Sequence, residues 1–272
     1  MALITISQNL GSGGMSVARL VAEGLDLELY DDNRLQDEAI KMGIHSDDLK
    51  GINEKMPGLF DRILGRRPEI YLDFMEAVVF EVSQRGQGVI IGHASQLLLR
   101  DFGCALHVFV HASMSTRIRN LMKTQNVSQE VAEKLIRKND QQRNGFFKYN
   151  FHKELNDPSL YDLIINTEKI GLATAANFIV DLAKSDEIST CSLTALDSME
   201  RLSQEKKVHA ALLQNDVDMR FVNVEVPESG IARISGIVFQ KEDQIKIVDV
   251  AKRVPGISDV QSEIAVSPPS AS

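Results

Sequence analysis

The sequence predicts two units of different fold class: an α/β unit with a parallel sheet covered on both faces by helices, then a smaller α+β unit. Over roughly the first 184 residues, short apolar β-branched runs alternate with longer helical patterns. Strands that are apolar throughout are typical of parallel sheets buried on both faces. Residues 184–198 then lose apolar periodicity, and the order afterwards is helix, strand, strand, helix, strand.

Hydrophobic periodicity predicts each element of the first unit in turn. The run ALITIS predicts the first strand, and a helix from Ser12 to Gly24 places Val17, Leu20 and Val21 on one face. The other predicted strands are 27–31, 88–92, 104–112 and 161–167. The other predicted helices are 68–86, 94–101, 115–123, a long charged helix starting near 128, and 171–184.

The same criteria predict the elements of the second unit. Residues 197–214 and 242–254 show helical spacing, whereas 219–226, 230–239 and 258–266 show strand patterns. We expect these strands to form a small, mainly antiparallel sheet. The predicted division is therefore an α/β domain at 1–184, a linker at 185–196, an α+β domain at 197–267 and a disordered tail at 268–272.

Composition excludes several classes of function. The chain has 272 residues and a formal net charge of -8, which argues against nonspecific nucleic-acid binding because that needs a basic surface. No signal-peptide pattern and no apolar run near 18 residues occurs, so we expect a protein that does not span membranes and lies in the cytoplasm. Cys104 and Cys191 are interpreted as a buried small side chain and a residue in a polar stretch, with neither a disulfide framework nor a metal site expected.

A glycine-rich loop, QNLGSGGMS at residues 8–16, follows the first strand. If Gly13 is aligned with the last glycine of the Walker pattern G-x-x-x-x-G-K-[ST], then Gln8, Gly14 and Met15 replace the first glycine, the lysine and the hydroxyl residue. Amides at a helix start still attract anions. The loop therefore predicts a phosphate site whose candidate residues are Gly11, Ser12, Gly13, Gly14, Met15 and Ser16.

Two other interpretations of this loop remain open. It could be a plain turn between strand and helix. It could also be a degenerate dinucleotide fingerprint, Gly11-x-Gly13-x-x-Ser16, with Asp31 or Asp32 near the position of a ribose-binding acid.

The long helix after residue 128 is basic in an otherwise acidic chain. Its cations are Lys134, Arg137, Lys138, Arg143, Lys148 and Lys153. At 100° per residue Arg143 points away from the others, so a break at Gly145 is predicted. Such a charge run is ordinarily a solvated face; the functional interpretation is a lid whose Arg137, Arg143 and Lys148 close over transferred phosphates.

The segments ITISQNLGSGG, LYDDNRLQDEAIKMG, VIIGHASQLLLRD, LHVFVHASMSTRI and NDQQRNGFFKYNF, taken in order, resemble the cytidylate-kinase-like family. The resemblance implies a five-stranded parallel sheet of the P-loop nucleoside monophosphate kinase fold, a nucleotide loop at 8–16, an acceptor region within about 31–66 and a lid near 137–153. It implies phosphoryl transfer from ATP or another nucleoside triphosphate, with Mg²⁺, to a monophosphate such as CMP.

Asp31 and Arg34, just after the second predicted strand, are candidates for a metal or monophosphate contact, and His93, at the end of strand 88–92, is a candidate for a bond to a substrate phosphate or base. Asp31 and Arg34 could form a simple exposed salt bridge, and His93 could cap the next helix. The chain departs from the family where Met15 replaces an arginine, where Gly92-His93-Ala94 replaces Gly-Arg-Asp, and where Gly145 replaces a second lid arginine. These departures favour an alternative: a catalytically weak or inactive regulator that binds a nucleotide or another phosphate-bearing molecule.

The second unit resembles a BON domain. The segments VEVPESGIARISGIV and AKRVPGISDVQSEI carry this resemblance. It implies a protein or lipid ligand, and the regulatory alternative would act through this domain.

Overall fold

The computed structural model describes residues 2–42, 68–186, 188 and 190–267. Most of the predicted acceptor region, residues 43–66, and the predicted tail at 268–272 lie outside these ranges. No helix within the described ranges combines the length and the apolar content that crossing a bilayer requires.

The first unit is built on a parallel sheet, as predicted. The described strands lie in the order β2-β3-β1-β4-β5, and every pairing is parallel. The strands are β1 Leu3–Gln8, β2 Leu29–Tyr30, β3 Gly88–Ile91, β4 Ala105–His111 and β5 Leu163–Asn166. The helices are α1 Gly14–Leu25, α2 Asp32–Lys41, α3 Pro68–Ser83, α4 Ser95–Leu98, α5 Met114–Gln125, α6 Gln129–Phe151 and α7 Leu172–Ala183.

Alternation along the strands separates two apolar layers. Leu3 and Ile90 face the core that contains α3, whereas Ile4 and Val89 face the core that contains α1 and α7. Successive side chains of a strand point to opposite faces of its sheet, so these apolar strands require a helical layer on each side. The predicted α/β class is confirmed.

Two details of the first unit differ from the sequence expectation. Helix α2 was not predicted. Its start is stabilised by an N-cap contact, in which the Asp31 carboxylate accepts a hydrogen bond from the Arg34 N–H at 3.0 Å. Helix α6 runs without a break through Gly145, so the predicted interruption is wrong. Space around Gly145 is open and its φ is ordinary, so this glycine is accommodated as a helical residue.

The second unit has the predicted element order. It comprises α8 Leu193–Gln214, β6 Val222–Glu228, β7 Ile231–Val238, α9 Lys241–Lys252 and β8 Asp259–Val266. Strands β6 and β7 are antiparallel, but β8 pairs with β7 in parallel. The mainly antiparallel sheet expected from the sequence is therefore wrong: helix α9 carries the chain across the sheet, and a parallel strand follows.

Helix α8 belongs to both units. Met199 and Ala210 pack in the core that also contains α3, whereas Val208 and Leu212 pack in the core of the second sheet. The helix starts four residues before its predicted start at 197. The predicted boundaries of the linker and of the two domains stay predictions, but the helix that follows the linker is packed on the first unit.

Ion pairs border the contact between α8 and α3. Lys206 Nζ lies 2.6 Å from the Glu76 carboxylate, and Lys207 Nζ lies 2.8 Å from the Glu81 carboxylate. His209 contacts Asp73 through a ring nitrogen. A single turn of α8 is thus tied to α3 by polar contacts as well as by apolar packing.

Cys104 and Cys191 form a disulfide, contrary to the sequence expectation. Cys104 lies just before β4 and Cys191 lies just before α8, and both are buried. The two residues are 87 positions apart, so no local spacing pattern could indicate the pairing. The disulfide fastens the start of α8 to the first unit.

Reduction of this disulfide should lower stability. A cross-link across 87 residues restricts the unfolded chain, and such links typically contribute about 2–4 kcal/mol. Guanidinium unfolding of the chain with and without dithiothreitol measures the change, and Cys104→Ser/Cys191→Ser should reproduce the reduced midpoint. Equal midpoints for the oxidised and reduced chain would contradict the prediction.

Candidate functional site

The glycine loop lies between β1 and α1, at the carboxyl edge of the parallel sheet. Gly11 and Gly13 adopt left-handed φ values of +84° and +85°. A Cβ atom at Gly11 would lie 2.6 Å from the Arg117 carbonyl oxygen, and one at Gly13 would lie 2.7 Å from a methyl group of Leu172. The backbone conformation therefore favours glycine at both positions, and at Gly11 the Arg117 main chain also leaves no space for a side chain.

The carbonyl groups of the loop are bound from outside. Arg117 Nε donates to the Leu10 carbonyl at 2.7 Å, and Asn120 Nδ2 donates to the Gly11 carbonyl at 2.9 Å. Thr167 Oγ1 donates to the Ser12 carbonyl at 2.7 Å. Side-chain donors thus occupy three consecutive carbonyls of the loop.

Most of these N–H groups are available to an anion. Within the described ranges, no acceptor lies in hydrogen-bond reach of the amides of Gly11, Gly13, Gly14 or Ser16. The Met15 amide differs, because it donates to the side-chain oxygen of Gln8 at 3.1 Å. The expected anion site therefore contains several amides that could bind an anion, whereas the Met15 amide is already bound to Gln8.

Ser12 contributes to the shape of the loop. Its amide donates to the Asn9 carbonyl at 3.0 Å, and its buried hydroxyl donates to the Val110 carbonyl on β4 at 3.0 Å. Of the predicted loop residues, Ser12 therefore acts by fixing the turn to the sheet.

Arg143 is the lid cation that reaches the loop. Its guanidinium donates to the main-chain carbonyl of Gln8. Burial lowers the pKa of Arg143, while Tyr161 and the Asp140 and Asp32 carboxylates act in the opposite direction. An arginine retains its proton at neutral pH under such a shift, so a fixed positive charge lies beside the loop.

Apolar contacts hold α6 over the site. Ile136 lies in a small core with Ile118 and Leu10, and Phe147 packs with Ala94 at the end of β3. Arg143 lies between these two contacts on an unbroken helix. The straight helix thus explains why Arg143 and the other lid cations point in different directions.

The other two predicted lid residues are not brought to the loop. Arg137 pairs with Glu133 at 2.7 Å and Lys148 pairs with Glu154 at 2.9 Å, and both cations are more than half exposed. Arg117, which the sequence analysis missed, is buried under the loop and makes a bidentate contact to Asp140 on α6 at 2.7 and 2.8 Å. Its position after β4, on the helix nearest the loop, was the available signal.

On the opposite side of the site, His93 pairs with Asp32. Their atoms Nε2 and Oδ1 lie 2.7 Å apart. Partial burial raises the pKa of Asp32, but the hydrogen bond to His93 and the charges of His93 and Arg143 outweigh it, so this pKa lies below its usual range. Asp32 is therefore an ionised carboxylate whose charge interacts with that of Arg143.

The backbone around His93 has an unusual conformation. Gly92, His93 and Ala94 all have left-handed φ values, of 79°, 56° and 54°. Two consecutive non-glycine residues in this region are uncommon and cost energy, and such sites cluster where ligands bind. Helix α4 begins without a side-chain cap, so His93 does not have the capping role left open by the sequence.

Asp31 and Arg34 serve the neighbouring structure instead. Asp31 is the N-cap of α2, and the Arg34 guanidinium pairs with Glu28 at 2.5 Å and with Glu38 at 2.6 Å. The open alternative of a salt bridge thus describes Arg34, although its partners are Glu28 and Glu38 rather than Asp31. Asp32, one position along, is the residue that reaches His93.

A chain of polar side chains forms the floor between the two sides. Ser7 Oγ donates to Gln96 Oε1 at 2.9 Å, and Gln96 Nε2 lies 3.4 Å from the Tyr161 hydroxyl. That hydroxyl donates to the Leu155 carbonyl at 2.6 Å. Burial raises the pKa of Tyr161 to about 12. No local pattern indicates this set of hydrogen bonds, because its members come from separate strands, helices and loops.

Comparison with known proteins assigns the first unit. The sequence profile of the cytidylate kinase-like family matches residues 3–169, more than half of the chain. The protein belongs to the cytidylate kinase-like family. The profile of the BON domain matches residues 203–268. Both resemblances found in the sequence are thereby confirmed.

Members of this family include curated relatives at low identity. The chain is 26% identical to the cytidylate kinase of Pyrobaculum islandicum over 182 residues, which is 66% of this chain and 92% of the relative. It is 29% identical to that of Desulfurococcus amylolyticus, over 66% of this chain and 91% of the relative. These matches support membership of a nucleoside monophosphate kinase family.

A solved structure has a similar fold. An uncharacterized protein from Eubacterium ventriosum aligns with a TM-score of 0.51 at 21% identity, covering 68% of this chain and 99% of that one. At this identity the similarity concerns the fold alone.

Alanine at Gly11 should destabilise this cytidylate kinase-like protein. The left-handed backbone and the Arg117 carbonyl together should cost at least about 1 kcal/mol in the free energy of unfolding. Gly145→Ala is the matched control: its position is open and helical, so stability should rise by about 0.5–1 kcal/mol. Urea unfolding of both variants measures the difference, and equal effects would contradict it.

Tyr161 should make stability sensitive to alkaline pH. Its pKa is about 12 in the folded chain and about 10 when unfolded. The unfolded chain loses this proton first, so the free energy of unfolding should fall as pH rises from about 10 to 12. Tyr161→Phe should flatten that decline, whereas Tyr149→Phe, at an exposed tyrosine, should not. Parallel slopes in both variants would refute the assignment.

Proposed function

We propose that the protein is a nucleoside monophosphate kinase that transfers a phosphoryl group from ATP or another nucleoside triphosphate to CMP or a related acceptor. The observation that carries the proposal is the position of Arg143 beside a glycine loop in which the amides of Gly11, Gly13, Gly14 and Ser16 make no hydrogen bond within the described ranges. A loop without the Walker lysine has no cation of its own. In this protein the lid helix supplies one.

Phosphoryl transfer needs alignment and charge neutralisation more than a covalent nucleophile. The amides of Gly11, Gly13, Gly14 and Ser16 would hold the donor phosphates at the positive end of α1. Arg143 would neutralise charge that develops on the transferred group. Its anchoring by buried contacts of α6 would hold the guanidinium in place before the substrate arrives.

The acceptor would lie on the side of His93 and Asp32. These residues follow β3 and β2, and ligands of open α/β sheets bind at the carboxyl ends of the strands. With His93 bound to it, Asp32 stays ionised at neutral pH. His93 and Asp32 would thus orient the acceptor, and Asp32 could accept a proton or contact a hydrated metal ion. Asp31 and Arg34 would act indirectly, by fixing α2.

The residues present fit a nucleoside triphosphate with Mg²⁺. Mg²⁺ in kinases is commonly held by substrate phosphates, one or two carboxylates and water. Within the described part of the chain, no cluster of three or more His, Cys, Asp or Glu side chains could hold a metal ion. Asp32 is the carboxylate that would face a metal ion carried by the nucleotide, which would shield phosphate charge.

A second candidate function is a nucleotide- or anion-responsive regulator acting through the BON domain. Two observations favour it: Gln8 already occupies the Met15 amide, and α8 joins the BON sheet to the kinase-like core. A protein or a lipid would be the partner of that domain. Co-sedimentation of the full chain with phosphatidylglycerol vesicles tests the lipid, and protein that stays in the supernatant excludes it.

We also propose a cytoplasmic location. Disulfides are rare in reducing compartments, so the Cys104–Cys191 pair is the observation that opposes this. Burial of both cysteines, at 5% and 9% exposure, would shield the pair from reductants. Alkylation of thiols at lysis, followed by mass spectrometry, shows which form is present in cells.

Arg143 should be required for turnover, and Arg137 and Lys148 should not. ADP formation is followed with ATP, Mg²⁺ and each monophosphate in turn. Arg143→Ala should reduce kcat by a factor of about 100 to 1000, as loss of a charge that acts in the transition state does. Arg137→Ala and Lys148→Ala, whose cations pair with Glu133 and Glu154, should stay within about threefold of the parent.

Controls separate the outcomes of this assay. Arg143→Lys keeps the charge but not the contact geometry, and should recover part of the activity with an unchanged melting temperature. Nucleotide binding without ADP formation in the parent chain would refute the kinase proposal and leave the regulator. Equal losses in all three alanine variants would show that the distinction drawn between the lid cations is wrong.

A further inference from the structure

Compared with a Walker loop, this loop has a large residue at position 8 and a small one at position 14. That pattern has glycine at the position of Gln8 and lysine at the position of Gly14. Here a Cβ atom at Gly14 would lie 2.6 Å from the Gln8 Cβ atom and 2.7 Å from its side-chain oxygen. The φ of Gly14 is not left-handed, so the backbone does not demand glycine there. Glycine is needed at position 14 because the Gln8 side chain occupies the space that a Cβ atom would take.

The carboxamide of Gln8 has the features of a ligand. Its oxygen accepts the Met15 N–H at 3.1 Å in the first turn of α1. An amide oxygen carries partial negative charge, and the start of a helix attracts negative charge. This oxygen therefore occupies one of the N–H positions that a phosphate oxygen would use.

The side chain can leave this position without moving the loop. Gln8 is the last residue of β1, paired in register with Val110, and its main-chain carbonyl is held by Arg143. Gln8 as a residue is only partly buried. Rotation about its side-chain bonds would therefore free the Met15 amide while the backbone stays fixed.

We propose that the Gln8 carboxamide is an internal ligand of the phosphate loop, which a polyphosphate displaces on binding. This inference rests on the proposed function only in taking the loop as the phosphate site. It makes Gln8 a residue that sets the affinity and the charge preference of the loop. The competitor for its position is a polyphosphate, whether free or carried by a nucleotide.

The direct test measures binding of inorganic tripolyphosphate to the full chain by calorimetry. Gln8→Ala removes the competing oxygen and should tighten binding about two- to tenfold, the range expected for one net hydrogen bond. Gln8→Met keeps the volume without the oxygen and separates the two effects. Gln8→Glu places a full negative charge at the site and should weaken binding at least tenfold.

Controls make the comparison specific. Gln240→Ala, at an exposed glutamine before α9, should leave the dissociation constant unchanged. Met15 amide exchange should be faster in Gln8→Ala than in the parent, and equal melting temperatures exclude a general loosening.

A double-variant cycle tests the steric relation between positions 8 and 14 independently of any ligand. Gly14→Ala alone should lower the melting temperature, because its Cβ atom meets Gln8. In a Gln8→Gly background the same substitution should be tolerated, and Gly14→Lys should then be tolerated as well. Equal losses in both backgrounds would overturn the steric argument.

The outcomes separate this inference from the proposed function. Tighter tripolyphosphate binding in Gln8→Ala, with no turnover of any monophosphate, supports the inference and refutes the kinase. Turnover by the parent chain with no gain from Gln8→Ala or Gln8→Met refutes the inference alone. If no variant binds tripolyphosphate, the inference fails and the ADP assay alone decides the kinase proposal.

Discussion

Three hydrogen bonds to consecutive carbonyls of the glycine loop determine how the site is built. The oxygens of Leu10, Gly11 and Ser12 accept hydrogen bonds from Arg117, Asn120 and Thr167. A peptide unit has its N–H opposite its carbonyl, so fixing these oxygens also fixes the direction of the following amides. Two of the donors lie on α5 and the third directly follows β5, so these two elements orient the loop.

This constraint also links the loop to α6. Arg117 binds the loop with one nitrogen and the Asp140 carboxylate of α6 with its other two. Arg143, one turn further along α6, binds the Gln8 carbonyl at the start of the loop. Arg117 and Asp140 therefore pair in a poorly solvated place, and removing either would leave a charge without compensation. These contacts hold α6 against the loop.

Local sequence patterns predicted the features that depend on local physics. The parallel sheet follows from apolar strands, and the start of α6 follows from Ser128, whose hydroxyl caps it. Long-range features were not predictable in this way. Nothing near Cys104 indicates Cys191, and nothing near Arg117 indicates Asp140, because each pairing depends on how distant elements pack. Asp31 and Asp32 are adjacent in sequence but have different roles: Asp31 caps α2, whereas Asp32 binds His93. A shift of one residue in the start of α2 would exchange these roles, and sequence patterns do not place a helix start that accurately.

Helix α8 has an implication for anyone who divides this protein. A cut near residue 190 follows the change in composition. It would remove Met199 and Ala210 from the N-terminal core. It would also leave Asp73, Glu76 and Glu81 of α3 without their partners on α8. An isolated N-terminal fragment would thus expose an apolar surface bordered by carboxylates that have lost their partners. Aggregation or poor expression of such a fragment would reflect the missing helix, and would say nothing about the chemistry of the loop.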